Sequence, residues 1–311
     1  MDRRDFFSGA LAGALFAGAQ ASAQTSVAGD THSITVERSA EGRPHEGKVF
    51  ALVTPHLDDG PIFAGGTIAK MLREGYTGYF IRTSNDEKDS AGLSLGATVL
   101  ANENDTALFV KTMGLKGSFD LSYRNHRMDD VARTELRGRL IFLFRLLKVN
   151  TVLSYDPWGH YEENPDHYVT AQAVEAACWM AGGSLDFPEH RAAGIQPHSV
   201  SEKYYFARGP QLVNRVVDIS GVVEQKRRAI LSCRTMIEHM VVDLNASLRA
   251  RNQRIPALEG PEGPAEFVKV AFEERDAAIG RRHNLPAAEE FHYIGPDQSL
   301  DPYIAKNAVT L

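Results

Sequence analysis

Short apolar runs alternate with stretches of helical spacing along most of the chain. Val49-Phe50-Ala51-Leu52-Val53-Thr54 is a run of strand formers with polar residues directly behind it, the pattern of a strand buried on both faces. Ala64 to Glu74 carries Ile68, Met71 and Leu72 at helical spacing and stops at Gly75. Tyr79 to Thr83 predicts a second strand, and Ser84 to Leu95 a polar loop. Helices are predicted over 102–113, closed by Gly114, and over 130–148, where Leu136, Leu140, Leu143, Phe144 and Leu147 form one stripe. Thr151 to Tyr155 is another strand, 156–164 a loop, and Pro165 to about Met180 a helix. Beyond an irregular excursion at 183–202, strand patterns fall in 203–219 and helices over 221–250 and 266–282, separated by a Pro/Gly/Glu-rich loop at 255–265. Strands alternating with helices predict an α/β fold, a Rossmann-like three-layer sandwich with a mostly parallel sheet covered on both faces.

The N-terminus departs from this pattern. Met1-Asp2-Arg3-Arg4-Asp5-Phe6-Phe7 is followed by an Ala/Gly-rich apolar run and then by Ala21-Ser22-Ala23. Paired arginines, a mild apolar core and a small-x-small site together resemble a twin-arginine export signal spanning 1–23, with cleavage after Ala23 and a periplasmic destination. The run falls short of the ~20 apolar residues that span a bilayer. Residues 24–47 are polar and predict an irregular lead-in, leaving 48–311 as one domain with a C-terminal helical extension.

Composition narrows the class. The 311 residues are 43% hydrophobic and 24% charged with a net charge of −6, ordinary for a folded protein. An acidic balance excludes a general nucleic-acid backbone binder, which needs a basic footprint. Cys178 and Cys233 are too few for a disulfide framework or a cysteine zinc module, and sequence leaves open whether they pair.

The candidate chemistry lies directly behind two strands. In an open α/β sheet, ligands bind beyond the carboxyl ends of the strands. His56-Leu57-Asp58-Asp59 follows the first strand, and Asn164-Pro165-Asp166-His167 opens the helix after the strand ending at Tyr155. His56 and Asp59 are three residues apart, so one turn can aim both at a point, and His167 can supply a third ligand. That makes a catalytic-type site with an open position for water. Asp58 then stays free beside that water as a proton acceptor. Capping explains Asn164, Pro165 and Asp166 without catalysis, but it leaves His167 unaccounted for. Thr83-Ser84-Asn85-Asp86-Glu87 follows the second strand, so Asp86 or Glu87 is expected near substrate hydroxyls or an amine. His, His and Asp suit Zn2+, while Fe2+, Mn2+ or Co2+ fit the same ligands.

Pro55-His56-Leu57-Asp58-Asp59-Gly60 behind an apolar strand, Gly65-Gly66-Thr67 after it, and Asn164-Pro165-Asp166-His167 about 110 residues on resemble the LmbE/PIG-L superfamily. The likeness covers about 49–180 and continues weakly through Asp218-Ile219, Lys226 and Ala288-Glu289-Glu290-Phe291. It implies a zinc-dependent N-deacetylase or amidase, with many members acting on N-acetylglucosamine conjugates. It implies that His56, Asp59 and His167 hold the metal, that Asp58 is the general base, and that Asp166 orients a ligand.

Three departures shape the expected mechanism. Many members have His where this chain has Asn164, which donates a hydrogen bond but is no general acid. Asn164 is therefore expected at the oxyanion, and either protonated Asp58 or His160, in the loop before it, delivers the proton to the amine. Asn102-Glu103-Asn104-Asp105 replaces a common Arg-x-x-Glu, and Cys233 stands where His is common. The expected substrate is a small molecule or glycan carrying an N-acyl group. The alternatives are an amidase on a non-sugar N-acyl compound or thiol conjugate, and an inactive periplasmic glycan-binding module.

Overall fold

The computed structural model describes residues 33–296 and 301–309. The export signal expected at 1–23 lies outside the described residues. The strands are β1 (Thr35–Glu37), β2 (Val49–Thr54), β3 (Thr77–Ser84), β4 (Gly117–Tyr123), β5 (Thr151–Tyr155), β6 (Glu202–Phe206), β7 (Arg215–Asp218) and β8 (Ala288–Ile294). They form one sheet in the order β1-β7-β8-β6-β5-β2-β3-β4. β8 alone runs antiparallel to its neighbours, β6 and β7; the other pairings are parallel.

The principal helices are α1 (Asp59–Arg73), α2 (Leu95–Met113), α3 (Arg133–Leu147), α4 (Pro165–Met180), α5 (Val223–Ser232), α6 (Arg234–Ala250) and α7 (Glu274–Arg282). The period-2 geometry of β2 divides its apolar run between two layers. Phe50 and Leu52 join the core beneath α1, α2, α5 and α6. Ala51 and Val53 join the core beneath α3 and α4. Cys233 lies in the first layer and Cys178 in the second, each buried and free, so they do not pair.

Several boundaries differ from the sequence reading, each for a physical reason. α1 begins at Asp59, not near 64, because the polar motif itself forms the first turn, where Pro61 is tolerated. α2 begins at Leu95, where the Ser94 hydroxyl accepts from the Ala97 N–H and caps it. β4 went unread because its residues are alternately half-buried and exposed at the sheet edge, so it lacks a continuous apolar run. The predicted helix 221–250 is two helices that break at Cys233. The lead-in contains β1, paired with β7, and the C-terminal part is not all helical, since β8 returns to the sheet.

β2 lies between β3 and β5, and the chain winds outward from it in both directions. That places a topological switch point at the carboxyl ends of β2 and β5, where open α/β sheets bind ligands. α1 is also pinned at its middle. The Glu289 carboxylate on β8 accepts from the Gly66 and Thr67 N–H groups, both at 2.8 Å, and from the Thr67 hydroxyl at 2.6 Å. Lys226 Nζ on α5 pairs with Glu289 at 2.7 Å and with Asp276 at 2.5 Å. Gly66 permits this approach: a Cβ there would lie 2.6 Å from Ile219 Cγ2.

Candidate metal centre

The motif behind β2 folds onto itself. The Thr54 hydroxyl donates to the His56 carbonyl at 2.7 Å, and the Asp59 carboxylate accepts from the His56 N–H at 3.0 Å. This turn sets the His56 ring and the Asp59 carboxylate side by side. Asp58 occupies the N-cap position of α1, yet its side chain makes no capping bond. α4 starts at Pro165 because Asn164 caps it, Oδ1 accepting from the Asp166 N–H at 3.0 Å, and the first turn then turns His167 inward.

The two predicted halves meet. His56 Nδ1 and His167 Nε2 are 3.1 Å apart. The Asp59 oxygens lie 3.4 Å from the first nitrogen and 3.6 Å from the second. One ligand atom from each of the three residues falls within 4.8 Å of the others, and all three residues are buried. Tyr155, at the end of β5, donates to Asp59 Oδ1 at 2.6 Å and stacks on the His167 ring at 4.2 Å.

The outer ring nitrogens decide what the inner ones can be. His56 Nε2 lies 3.1 Å from Asp166 Oδ2, and His167 Nδ1 lies 3.2 Å from Glu162 Oε2. Carboxylates hold those outer nitrogens as N–H donors. In the tautomers that leave both inner nitrogens unprotonated, their lone pairs face each other beside a third acceptor on Asp59. Such a trio is satisfied by a shared cation, so the donor set fits a divalent metal of the His/His/carboxylate type.

The electrostatics agree with that fit. Burial would push the His56 imidazole down, but Asp166 and Asp59 override it and hold the ring well above its usual range, so the site favours positive charge, supplied by a second ring proton when no cation is held. Burial, then the neighbouring Asp59 charge, pushes the Asp58 carboxyl well above the ordinary aspartate value. Asp59 moves the opposite way: burial would raise it, but His167 and His56 hold it far below. Two adjacent carboxyls are thus driven apart, one toward proton exchange and one toward permanent charge.

The remaining predicted residues fall elsewhere. Asp86 is fully buried and accepts from the Arg82 guanidinium at 2.8 Å, the Ser84 hydroxyl at 2.7 Å and the Leu57 N–H at 3.2 Å. It anchors the motif, and one of its oxygens also lies within 4.8 Å of a His56 ring nitrogen and of an Asp89 oxygen. Glu87 is buried and paired with Arg124 at 2.9 Å, so it ties the 124–128 loop across the site. His160 is exposed on the 156–164 loop and makes no hydrogen bond or ion pair with the cluster among the described residues. Asn102 donates to the Asp86 and Asp89 carbonyls, and Asp105 accepts from the Thr235 N–H at the start of α6; both departures from the family pattern have become loop and helix anchors. Cys233 is buried close to Asp58, whose charge, after burial, helps push its thiol up.

Sequence reading missed three residues of the site. Tyr155 reads as an ordinary strand residue, and Glu162 is one of two adjacent acids in a loop. His126 lies behind the unread β4: its N–H donates to Asp166 at 2.7 Å, and its ring stands edge-on to His56 at 6.2 Å. Its left-handed backbone, φ +58°, is an uncommon state of the kind that collects at functional sites.

Residues 51–178 match the family model described as PIG-L, the GlcNAc-PI de-N-acetylase. The chain is 29% identical over 190 residues to a diacetylchitobiose deacetylase of Thermococcus kodakarensis, covering 59% of this chain and 68% of that one. Its fold is similar to that of an N,N'-diacetylchitobiose deacetylase from Pyrococcus horikoshii, with a TM-score of 0.66 at 20% identity, covering 80% of this chain and 84% of that one. It is also similar to a 4-carboxy-2-hydroxymuconate hydratase from Pseudomonas putida, with a TM-score of 0.58 at 17% identity, covering 85% of this chain and 99% of that one. One fold thus carries two kinds of water chemistry, so the site and not the fold must decide between them. No described helix is long and apolar enough to cross a membrane.

Proposed function

Since residues 51–178 form a PIG-L/LmbE family domain, we propose that this protein is a metal-dependent hydrolase that removes an acetyl group from the amine of an N-acetylated amino sugar. The observation that carries the reading is the pair of ring nitrogens facing each other at 3.1 Å beside Asp59, with the uncapped Asp58 carboxyl next to them. His56, Asp59 and His167 would hold the metal, with Zn2+ the best match to the ligand types. When bound, a divalent ion lowers the pKa of water toward 7 and polarises the amide carbonyl.

The protein's own groups then do the following. Asp58 takes a proton from the attacking water and passes it to the departing amine nitrogen, the acid-base role its raised pKa suits. The Asn164 side chain has Oδ1 committed to the helix cap, so Nδ2 remains to donate to the developing oxyanion. Asp166 fixes the His56 ring, and Tyr155 fixes Asp59. The products are a carboxylate and a free amine. Asp58 is favoured over His160 as the proton donor, because His160 makes no hydrogen bond or ion pair with the cluster among the described residues. Export through the signal at 1–23, with a mature N-terminus at Gln24, belongs to the same proposal; N-terminal sequencing of the periplasmic form tests it.

The sugar substrate rests on the diacetylchitobiose deacetylase of Thermococcus kodakarensis. The test is acetate release by the metal-loaded protein from diacetylchitobiose and from N-acetylglucosamine, with and without a chelator. Chelator-sensitive acetate is the expected result. Release only from non-sugar N-acyl amides moves the substrate class, and saturable sugar binding without acetate makes the protein a binding module.

A further inference from the structure

We propose that Glu162, braced by Arg208, is the positioning residue for His167, so that a rim-loop carboxylate aims the second imidazole of the metal centre. This rests on the metal reading above. Asp166 serves His56 in that way and is itself held by the His126 and Met128 N–H groups. His167 has no such partner on its own helix. Its Nδ1 is buried and makes no aligned hydrogen bond among the described residues, and the facing acceptor is Glu162 Oε2 at 3.2 Å. The two atoms lie at ion-pair distance. A histidine that ligates through Nε2 must carry its proton on Nδ1, and an acceptor there fixes both tautomer and ring plane.

Glu162 is built to hold still. Arg208, in the loop after β6, donates Nε to Oε2 at 3.1 Å and Nη2 to Oε1 at 2.5 Å, a two-pronged grip. The Asn164 N–H donates to Oε1 at 3.0 Å, tying the same carboxylate to the helix cap. The side chain is only 12% exposed. Its neighbour Glu163 supplies a contrast within the chain: it is 60% exposed and meets the same guanidinium only at 3.3 Å, the kind of surface pair that contributes little.

The experiment is a competition titration of Zn2+ and Co2+ into the full, chelator-stripped chain, comparing wild type with Glu162→Gln, Glu162→Asp and Glu163→Gln. Glu162→Gln is expected to weaken metal binding about 10–100-fold, Glu162→Asp to recover part of the loss, and Glu163→Gln to bind as wild type. The thermal midpoint of the metal-free chain should be the same in wild type, Glu162→Gln and Glu163→Gln. Unchanged affinity in Glu162→Gln overturns the inference. Equal losses in Glu162→Gln and Glu163→Gln overturn it, as does a loss that merely tracks a lower metal-free midpoint. A wild type that binds no metal overturns the metal reading itself, a separate outcome.

Discussion

α1 carries two buried charged clusters, and they are built on opposite principles. At its middle, Glu289, Lys226 and Asp276 are each no more than 3% exposed on the side chain, and opposite charges meet. Glu289 spends its remaining acceptor capacity on two backbone N–H groups and a hydroxyl. At the N-terminus of the same helix, two imidazole nitrogens face each other at 3.1 Å and Asp58 has no capping partner. Burial is common to both. Opposite charges close the first cluster, whereas metal-ligating atoms converge in the second, which makes the second the candidate site.

Substitution separates the two clusters by readout. Asp58→Asn should reduce acetate release by about 100- to 10,000-fold while metal affinity and unfolding free energy hold. Turnover at the wild-type rate removes Asp58 from the mechanism. Lys226→Met should do the reverse. It strands two buried carboxylates and should cost about 3–5 kcal/mol in denaturant unfolding, with the metal affinity of the folded fraction unchanged. If Lys226→Met instead weakens metal binding and spares stability, the contrast between the clusters is wrong. Gly66→Ala should cost less, about 1–3 kcal/mol, because the new methyl group meets Ile219 at 2.6 Å.

How much of this was legible follows from where each signal resides in the chain. The grouping of His56, Asp59 and His167 was readable because both halves of it directly follow strands with continuous apolar runs, and a strand end fixes where the next residues point. The parallel sheet was readable for the same reason. β4 was not, because an edge strand needs only a half-apolar face, and with it went His126. Glu162 was not, because its partners His167 and Arg208 lie 5 and 46 positions away and only the folded rim loop joins them. Asp86 was legible only as an acid after a strand; its contacts with Arg82 and the Leu57 N–H appear only in the fold.

A third charged cluster extends the comparison to pH. Glu37, on β1, meets Lys70 Nζ at 2.8 Å and Arg215 Nη1 at 2.7 Å. Burial would raise its pKa, but Lys70, Arg215 and Tyr204 outweigh it and hold the carboxyl below its ordinary value of 4.5. A depressed folded pKa means the unfolded chain binds the proton more readily. Glu37 therefore contributes stability that is complete above the unfolded value and fades as pH falls through the folded one. Chemical unfolding of the metal-free chain at a series of pH values should show wild type above Glu37→Gln at neutral pH, with the gap closing once pH drops below about 4.5. A gap that stays constant into acid would mean that Glu37 acts through packing alone, and that a finished ion cluster in this fold leaves no mark on its acid stability.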